Sequence, residues 1–546
     1  MTTPGDELLF LALGGSGEIG MNVNLYGCQG KWLMADLGLS FADPAYPGID
    51  IVLPDLSFIE KRRKDLLGII ITHGHEDHIG AIPYLALELG VPIYATVFTA
   101  GLIREKLEEE GLGNRVPLKI VKIGEPIRLG PFSVEWVPMS HSIPEMNALL
   151  IGSPHGNVFH TGDWKLDPDP VIGQPASAEQ LKAIGKKGVL ALMGDSTNIF
   201  NNEASGSESS VRADLEKFVA AADKRVLVTT FASNAARLQT LGQVAVATGR
   251  QVCVAGRSLD RITKIAKAAG YLLDFPPTID FDAAMRVPPK ELMIIATGGQ
   301  GEARAALARI AHDSHKLKLS EGDTVMFSSK QIPGNEEQIG VVQNALAGRG
   351  IRMVTERQAH IHVSGHPGRP EIETLYGWLK PEIVVPVHGE RRHLAEHARF
   401  AVANGVPRAI VQSNGDVIRL APEGPKVIGH ERAGRLVLDG DVILSANGPT
   451  INDRRKLAAN GIVSVAIAVD KGGRAKGRPE ISVSGLPVEE DREDFIEEAA
   501  EAALDALEGG SRDPAKLKEA IRLAVRRKAS DWTGKKPVVD VMLIRV

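Results

Sequence analysis

Cysteine is nearly absent. The chain of 546 residues carries two, Cys28 and Cys253, far apart and without metal-ligand spacing. That excludes a disulfide framework and fits a reducing compartment. Long apolar runs are missing as well. No stretch approaches the roughly 20 apolar residues that span a bilayer, so no membrane partner is expected. The opening MTTPGDELLF lacks a basic segment and an apolar core, so no secretory leader is expected and the protein is placed in the cytoplasm. No internal repeat or low-complexity tract stands out. A large charge excess is lacking too: the net charge is −5. This argues against indiscriminate nucleic-acid binding, but it leaves room for a nuclease whose basic groups line a channel. Active-site metal ions would add positive charge that composition does not register. What is abundant is glycine, 57 residues, which suits an α/β protein with many tight strand-to-helix turns. The length exceeds one hydrophobic core and predicts about three domains.

Residues 8–14 (LLFLALG) read as a strand, 22–28 and 31–36 as a hairpin turning at Gly30, and 67–72 as a buried, β-branched strand. The cluster His73-Gly74-His75-Glu76-Asp77-His78 follows at once, with a helix expected from near Ile79. Functional residues are commonly displayed on such strand-to-helix loops. From about 205 to 355 short apolar runs (225–231, 251–256, 291–297, 323–329) alternate with amphipathic stretches (234–248, 258–270, 302–311, 335–347). That alternation predicts βαβ units and a parallel sheet in a self-contained insert. Beyond it lies the strand-like EIVVPVHGE (382–390). KGGRAKGRPE (471–480) reads as a linker or exposed loop. The last part reads as a small domain: an acidic helix over 488–507, the Gly509-Gly510 break, a helix opened by Asp513-Pro514 and ended by Arg526-Arg527-Lys528, and the strand PVVDVMLIRV.

Residues 15–20 (GSGEIG) match the glycine pattern of dinucleotide-binding turns, and Asp36 sits near the expected acidic position. That reading requires a helix directly after the glycines, whose N-terminus holds the pyrophosphate. Residues 21–36 alternate like strands instead, so the glycines are read as a tight turn near the metal-ligand cluster.

Three histidines and an aspartate within six residues are hard to explain as packing, because both residue types are zinc ligands. On a loop, His73 and His75 can face one ion while Asp77 and His78 face another. Each pair leaves its ion unsaturated, so further ligands are needed. His141 in PMSHSIPE, Asp163 in HTGDWK and His388 in PVHGE each follow a strand-like run, and a carboxylate at Asp163 could bridge two ions. His155, His160, His393 and His397 lack such support and read as structural or surface residues.

Together these motifs resemble the metallo-β-lactamase superfamily. The insert, followed by HVSGH (362–366) and PVHGE (386–390), resembles its β-CASP branch, whose members process nucleic acids. Within that branch GEIGMN, GDSTN (194–198), TFASN (230–234), TGGQGE (297–302) and IPGNE (332–336) are similar to the bacterial ribonuclease J family. The resemblance implies an α/β fold: a metallo-β-lactamase αββα sandwich over 1–205 and 358–460, an inserted α/β β-CASP domain over 206–357, and a small α/β C-terminal domain over 461–546. It implies that His73, His75 and His141 hold one ion, Asp77, His78 and His388 the other, with Asp163 bridging and Asp36 orienting a ligand. Catalytic roles would fall to Asp77, Asp195 and His366. Contacts to RNA phosphate would come from Ser233, Asn234, His362, Val363, Ser364, Gly365 and His366. At Ala235-Ala236-Arg237 the sequence departs from relatives that carry a histidine before the arginine.

By residue type alone Asp195 reads as a turn cap, Ser364-Gly365-His366 as an ordinary turn, and the basic run at 526–528 as a solvated helix end. Asp50 and Asp441, which could supply a calcium site known in some members, read as turn residues. The resemblance further implies two zinc ions per chain, which manganese or magnesium could replace. It implies 5′-to-3′ exonuclease and endonuclease action on single-stranded, 5′-monophosphorylated RNA, and a homodimer or homotetramer. Three alternatives remain at this point: a DNA nuclease of the same branch, a small-substrate metallohydrolase, and a non-catalytic RNA-binding subunit. The long insert speaks against the second. The full complement of ligand positions speaks against the third.

Overall fold

The structure is a computed structural model that describes residues 6–331, 335–508 and 513–546. Ile332-Pro333-Gly334 of the IPGNE string and the Gly509-Gly510 break lie outside the described residues. The chain divides into two compact units. One runs through Ser40 and resumes over Leu53–Gly434; the other comprises Phe41–Val52 and Arg435–Val546.

The larger unit is built on two facing sheets. The first has eight strands, among them Leu8–Gly14, Val23–Cys28, Lys31–Ala35, Leu66–Ile70 and Ile93–Ala95. The second has seven, among them Phe132–Pro138, Asn147–Ser153, Gly156–His160, Ala191–Asp195 and Ile383–Val387. Phe10, Tyr26 and Ile70 from the first meet Trp136, Leu149 and Val385 from the second in one apolar core. Strands buried on both faces carry the near-continuous apolar runs seen in the sequence. Helices Ala178–Lys187 and Arg369–Leu379 cover the other face of the second sheet through Leu181, Ile184, Leu375 and Leu379. Trp136 is fully buried, and its indole N–H donates to the Ile71 carbonyl at 2.9 Å. Burying an aromatic of this size contributes about 4–6 kcal/mol at ~25 cal/mol per Å². The hydrogen bond also fixes the end of the strand that leads into the histidine cluster.

Between Asp195 and Ile383 the chain builds a five-stranded, all-parallel sheet from Gln251–Ala255, Leu292–Ala296, Val226–Thr229, Thr324–Phe327 and Arg352–Val354, in that order. It has its own core around Leu227, Ile294, Leu307 and Val325. Ala191–Asp195 and Ile383–Val387 are neighbours paired in parallel, so the excursion starts and ends at one place in the seven-stranded sheet.

In the smaller unit, Ile462–Val469 pairs with Glu480–Ser484 and Val538–Arg545 in a sheet packed on helices Arg492–Glu508 and Pro514–Thr533. KGGRAKGRPE is the exposed loop expected, joining two strands of this sheet, with the Asp470 carboxylate accepting from the Gly472 and Arg474 amides at 2.8 and 3.0 Å. The expected end of the last helix is corrected. Arg526-Arg527-Lys528 lies inside a helix that continues to Thr533 and stops at Gly534, whose φ is +69°. The helix-breaking residue comes only at Gly534, six positions beyond Lys528, so charge alone did not mark the end. No helix among the described residues is long and apolar enough to cross a membrane.

Candidate metal centre

The site residues come from loops at the C-terminal ends of strands in both facing sheets. After Leu66–Ile70 the chain passes Thr72 and His73, and His75 stands at the N-cap of a one-turn helix, Glu76–Ile79. The helix thus begins inside the cluster rather than near Ile79. Glu76 and Asp77 in its first turn suit the positive end of the helix dipole. His141 follows Phe132–Pro138, Asp163 follows Gly156–His160, Asp195 ends Ala191–Asp195, and His388 follows Ile383–Val387. Asp36 and His388 hold φ values of +62° and +52°. Left-handed backbone at non-glycine residues carries a cost that persists where surroundings enforce it, often at functional sites.

Two ligand sets form. His73, His75, His141 and Asp163 offer ligand atoms within 4.8 Å of one another, and so do Asp77, His78, Asp163 and His388. Asp163 belongs to both sets. Its Oδ1 is buried and accepts no hydrogen bond. His75 Nδ1 lies 3.1 Å from both His73 Nε2 and His141 Nε2. The outer nitrogens already have partners. His73 Nδ1 meets the Thr72 hydroxyl at 3.0 Å, and His141 Nδ1 meets the Gly365 carbonyl at 2.6 Å. With those protonated, the inner nitrogens of His73 and His141 point bare lone pairs at His75. Facing lone pairs repel unless a cation lies among them, and the edge of a tetrahedral zinc site with ~2.0 Å Zn–N bonds is about 3.3 Å. The donor set therefore fits a bound divalent ion. Burial and neighbouring imidazoles hold His73 and His141 well below the ordinary histidine value, and burial holds His75 down at about 4. Neutral imidazole is the ligating form.

The second set is electrostatically different. Burial opposes the charged form of His78, yet Asp163, Asp77 and Asp36 together pull it well above its ordinary value. A site with this surplus of carboxylate charge calls for a cation. Asp36 is fully buried and fixes His78 through its Nδ1 at 2.7 Å. It also accepts from the Thr72 amide at 2.8 Å and the Thr72 hydroxyl at 2.9 Å.

A third grouping joins Asp163 and His388 to Asp195 and His366. Asp195 Oδ2 lies 2.8 Å from His366 Nδ1, while Oδ1 accepts from the Thr197 amide and hydroxyl at 2.9 and 2.7 Å. It is both the turn cap read from residue type and the partner of His366. Burial works against the charge on His366, but Asp195, joined by Asp163 and Asp77, outweighs it and raises the group to about 9.

The HVSGH segment lies against this centre. Gly365 leaves no room for a side chain, because a Cβ there would come within 2.6 Å of His141 Cε1. Ser364 Oγ accepts from Asn198 Nδ2 at 2.7 Å, and Val363 is buried. His362 is pushed to about 3, first by burial and then by the charges of Arg237, Lys330 and Lys165. Of the loop before helix Ala235–Ala247, Ser233 is half-buried, and Asn234 caps the helix by accepting from the Arg237 amide at 2.8 Å. Arg237 is fully buried against Glu208, so its guanidinium is spent on an internal ion pair. Asp50 and Asp441 fall outside all three groupings: Asp441 lies in the turn between Arg435–Asp439 and Val442–Ser445, and Asp50 precedes Ile51–Pro54.

Asn22 was not singled out as a site residue from the sequence. Its amide lies 2.7 and 2.9 Å from His388 Nδ1 and donates to the Asp77 carbonyl at 3.2 Å. The quoted GEIGMN string contained it, but its partner His388 is 366 positions away. The glycine turn before it abuts the site as expected, with the His388 amide donating to the Gly15 carbonyl at 2.6 Å. His160 is structural: its Nδ1 meets the Tyr26 hydroxyl at 2.9 Å behind the centre.

Residues 46–182 match the beta-lactamase superfamily domain, and 223–346 match the beta-CASP domain of ribonuclease J. Residues 350–410 match a Zn-dependent metallo-hydrolase RNA specificity domain, and 449–546 match the ribonuclease J C-terminal domain. Ribonuclease J of Sinorhizobium meliloti is 43% identical over 551 residues, covering 99% of this chain and 98% of that one. Ribonuclease J of Corynebacterium glutamicum is 36% identical over 548 residues, covering 98% of this chain and 76% of that one. A crystal structure of a protein of unknown function from Enterococcus faecalis V583 aligns with a TM-score of 0.54 at 18% identity, covering 76% of this chain and 100% of that one, a likeness of fold alone. With two ribonuclease J domains matched beside the two metallo-hydrolase segments, and this identity from end to end, the chain belongs to the ribonuclease J family.

Proposed function

We propose that the protein is a metal-dependent ribonuclease that hydrolyses single-stranded RNA at a centre for two zinc-class ions, working 5′ to 3′ from a 5′-monophosphate end and also cutting internally. The observation that carries this reading is Asp163: one carboxylate shared by two ligand sets, with the Asp195–His366 pair beside it. His73, His75 and His141 would hold one ion and Asp77, His78 and His388 the other, with Asp163 in reach of both sets. A pair of divalent ions there would lower the pKa of a shared water and neutralise charge on the phosphoryl oxygens. The rest is the work of this chain's side chains. Asp36, Thr72, Asn22 and the Gly365 carbonyl keep the ligand imidazoles in the tautomers that face inward. Asp195 faces His366 Nδ1 and favours its protonated form. Its remaining N–H serves the phosphoryl oxygens or the departing 3′ oxygen, leaving 5′-phosphate and 3′-hydroxyl ends. Ser233, Asn234, His362, Val363, Ser364 and Gly365 are assigned to the RNA backbone, and the cationic surroundings of His362 suit a phosphate.

The test compares one RNA with a 5′-monophosphate, the same RNA with a 5′-triphosphate, and a DNA of equal sequence, with His75→Ala protein alongside. The expected result is mononucleotide release from the monophosphate RNA, abolished by chelator and by His75→Ala. Equal cutting of DNA would move the reading to a general nuclease. No cutting by metal-loaded protein would overturn it.

A further inference from the structure

The chain leaves the seven-stranded sheet after Asp195 and re-enters it at Ile383, and its two crossings run side by side. Asn201 on the outgoing crossing accepts from the Arg369 amide of the returning one at 2.9 Å. Two buried carboxylates fasten this junction. Glu371, 4% exposed, accepts from the Leu166 amide at 3.0 Å, the Ser205 amide at 2.9 Å, the Ser205 hydroxyl at 2.7 Å and the Gly368 amide at 2.8 Å. One side chain thus ties the segment just past Asp163, the outgoing crossing, and the segment just past His366.

The other carboxylate is Glu208, also 4% exposed, which meets Arg237 in a fork at 2.5 and 3.0 Å. The same guanidinium donates to the Ser328 carbonyl at 2.9 Å and to the carbonyl of Ile361, immediately before HVSGH, at 2.8 Å. The Glu208 amide in turn donates to Asp167 at 2.8 Å, and Asp167 pairs with buried Lys165 at 3.1 Å. Hydrogen bonds and ion pairs therefore run without a break from the loop of Asp163 to helix Ala235–Ala247 and the start of HVSGH.

Buried ion pairs are costly to desolvate, and apolar replacements are often as stable or more so. Stability alone is a poor reason to place so many charges at one junction. We propose that Glu371 and the Glu208–Arg237 pair form a clasp that fixes the parallel-sheet insert, with its RNA-facing loops, at one spacing from the hydrolytic centre. On the ribonuclease reading above they are positioning residues for RNA. If the clasp loosens, an RNA that engages both parts must re-form the arrangement as it binds. The cost then falls on binding, while turnover of fully engaged RNA is kept.

The test uses full-length, metal-loaded protein with Glu371→Gln, Glu208→Gln or Arg237→Lys. Each is read for metal content, for kcat and KM on a 5′-monophosphorylated 20-nucleotide RNA, and for Kd with the same RNA carrying cleavage-resistant phosphorothioate linkages. The expected result is metal content equal to wild type, Kd and KM raised at least tenfold in Glu371→Gln and Glu208→Gln, and kcat changed less than threefold. Arg237→Lys keeps the charge without the fork and falls between them and wild type. Unchanged Kd in folded, metal-loaded variants would overturn the clasp, and so would a fall in kcat together with lost metal. Wild-type protein that binds RNA without cutting it would sink the ribonuclease reading alone, leaving the clasp to be decided by Kd. Wild-type protein that does neither would overturn both.

Discussion

Asp36→Asn separates the ligand geometry from the rest of the fold. The carboxylate meets three donors: the Thr72 amide, the Thr72 hydroxyl and His78 Nδ1, at 2.8, 2.9 and 2.7 Å. Asparagine has nearly the same shape and tolerates the left-handed backbone at φ +62°. Its amide offers one acceptor atom where the carboxylate offered two. If the oxygen keeps the Thr72 amide, the NH₂ takes the place of Oδ2 and faces both the Thr72 hydroxyl and His78 Nδ1. The ring must then accept there and carry its proton on Nε2, the atom 3.2 Å from Asp163 that faces the ligand set. The same wrong-tautomer logic lowers catalysis by orders of magnitude where an aspartate orients a catalytic histidine. Loss of such a partner typically weakens metal binding 10–100-fold, or about 1.4–2.8 kcal/mol. The assay is competition for zinc with a chromophoric chelator at pH 7.5, on protein whose melting curve is checked beside wild type. One ion should weaken by roughly 10–100-fold while the other holds within about threefold. Two ions bound with wild-type affinity would refute the assignment of Asp36 and His78.

Other consequences are equally open to test. Gly365→Ala puts a methyl group within 2.6 Å of His141 Cε1. Displacing a group of the site by this order costs roughly 100-fold in RNA turnover, with melting temperature little changed; activity within threefold of wild type would contradict the tight fit. His397 is buried between the Ser196 hydroxyl at 2.8 Å and the Tyr376 hydroxyl at 2.7 Å, and burial lowers it to about 4. The native state keeps it neutral while the unfolded chain takes up a proton below about 6.5. Stability is therefore complete above pH 6.5 and falls as the pH drops toward 4, by about 1 kcal/mol at pH 5.5. His397→Gln should lose less melting temperature than wild type between pH 7.5 and 5.5, and an identical loss would count against a neutral buried His397.

The parts legible in the sequence were those whose signal is local. Four residues of metal-ligand type within six positions announced the candidate centre at His73–His78, and alternating strands and helices announced the parallel sheet. His141, Asp163 and His388 stood out because each follows an apolar strand. The geometry places them in two sets that share Asp163. Asn22 did not stand out, because an amide carries no metal signature and its histidine partner is far along the chain. The clasp was hidden for the same reason: Glu371 and Glu208 look like surface acids until folding brings amides and Arg237 around them. The basic run at 526–528 misled because charge near a helix end is a tendency, whereas Gly534 with φ +69° is the physical stop.

The central claim is hydrolysis of RNA by a solvent oxygen at the centre built on Asp163. Cleavage of a 5′-monophosphorylated RNA in ¹⁸O-labelled water, read by mass spectrometry of the products, tests it most directly. The account predicts that each newly formed 5′-phosphate carries one solvent oxygen, that the partner ends are 3′-hydroxyls, and that His75→Ala yields neither. Products ending in 2′,3′-cyclic phosphate, or 5′-phosphates free of label, would contradict it.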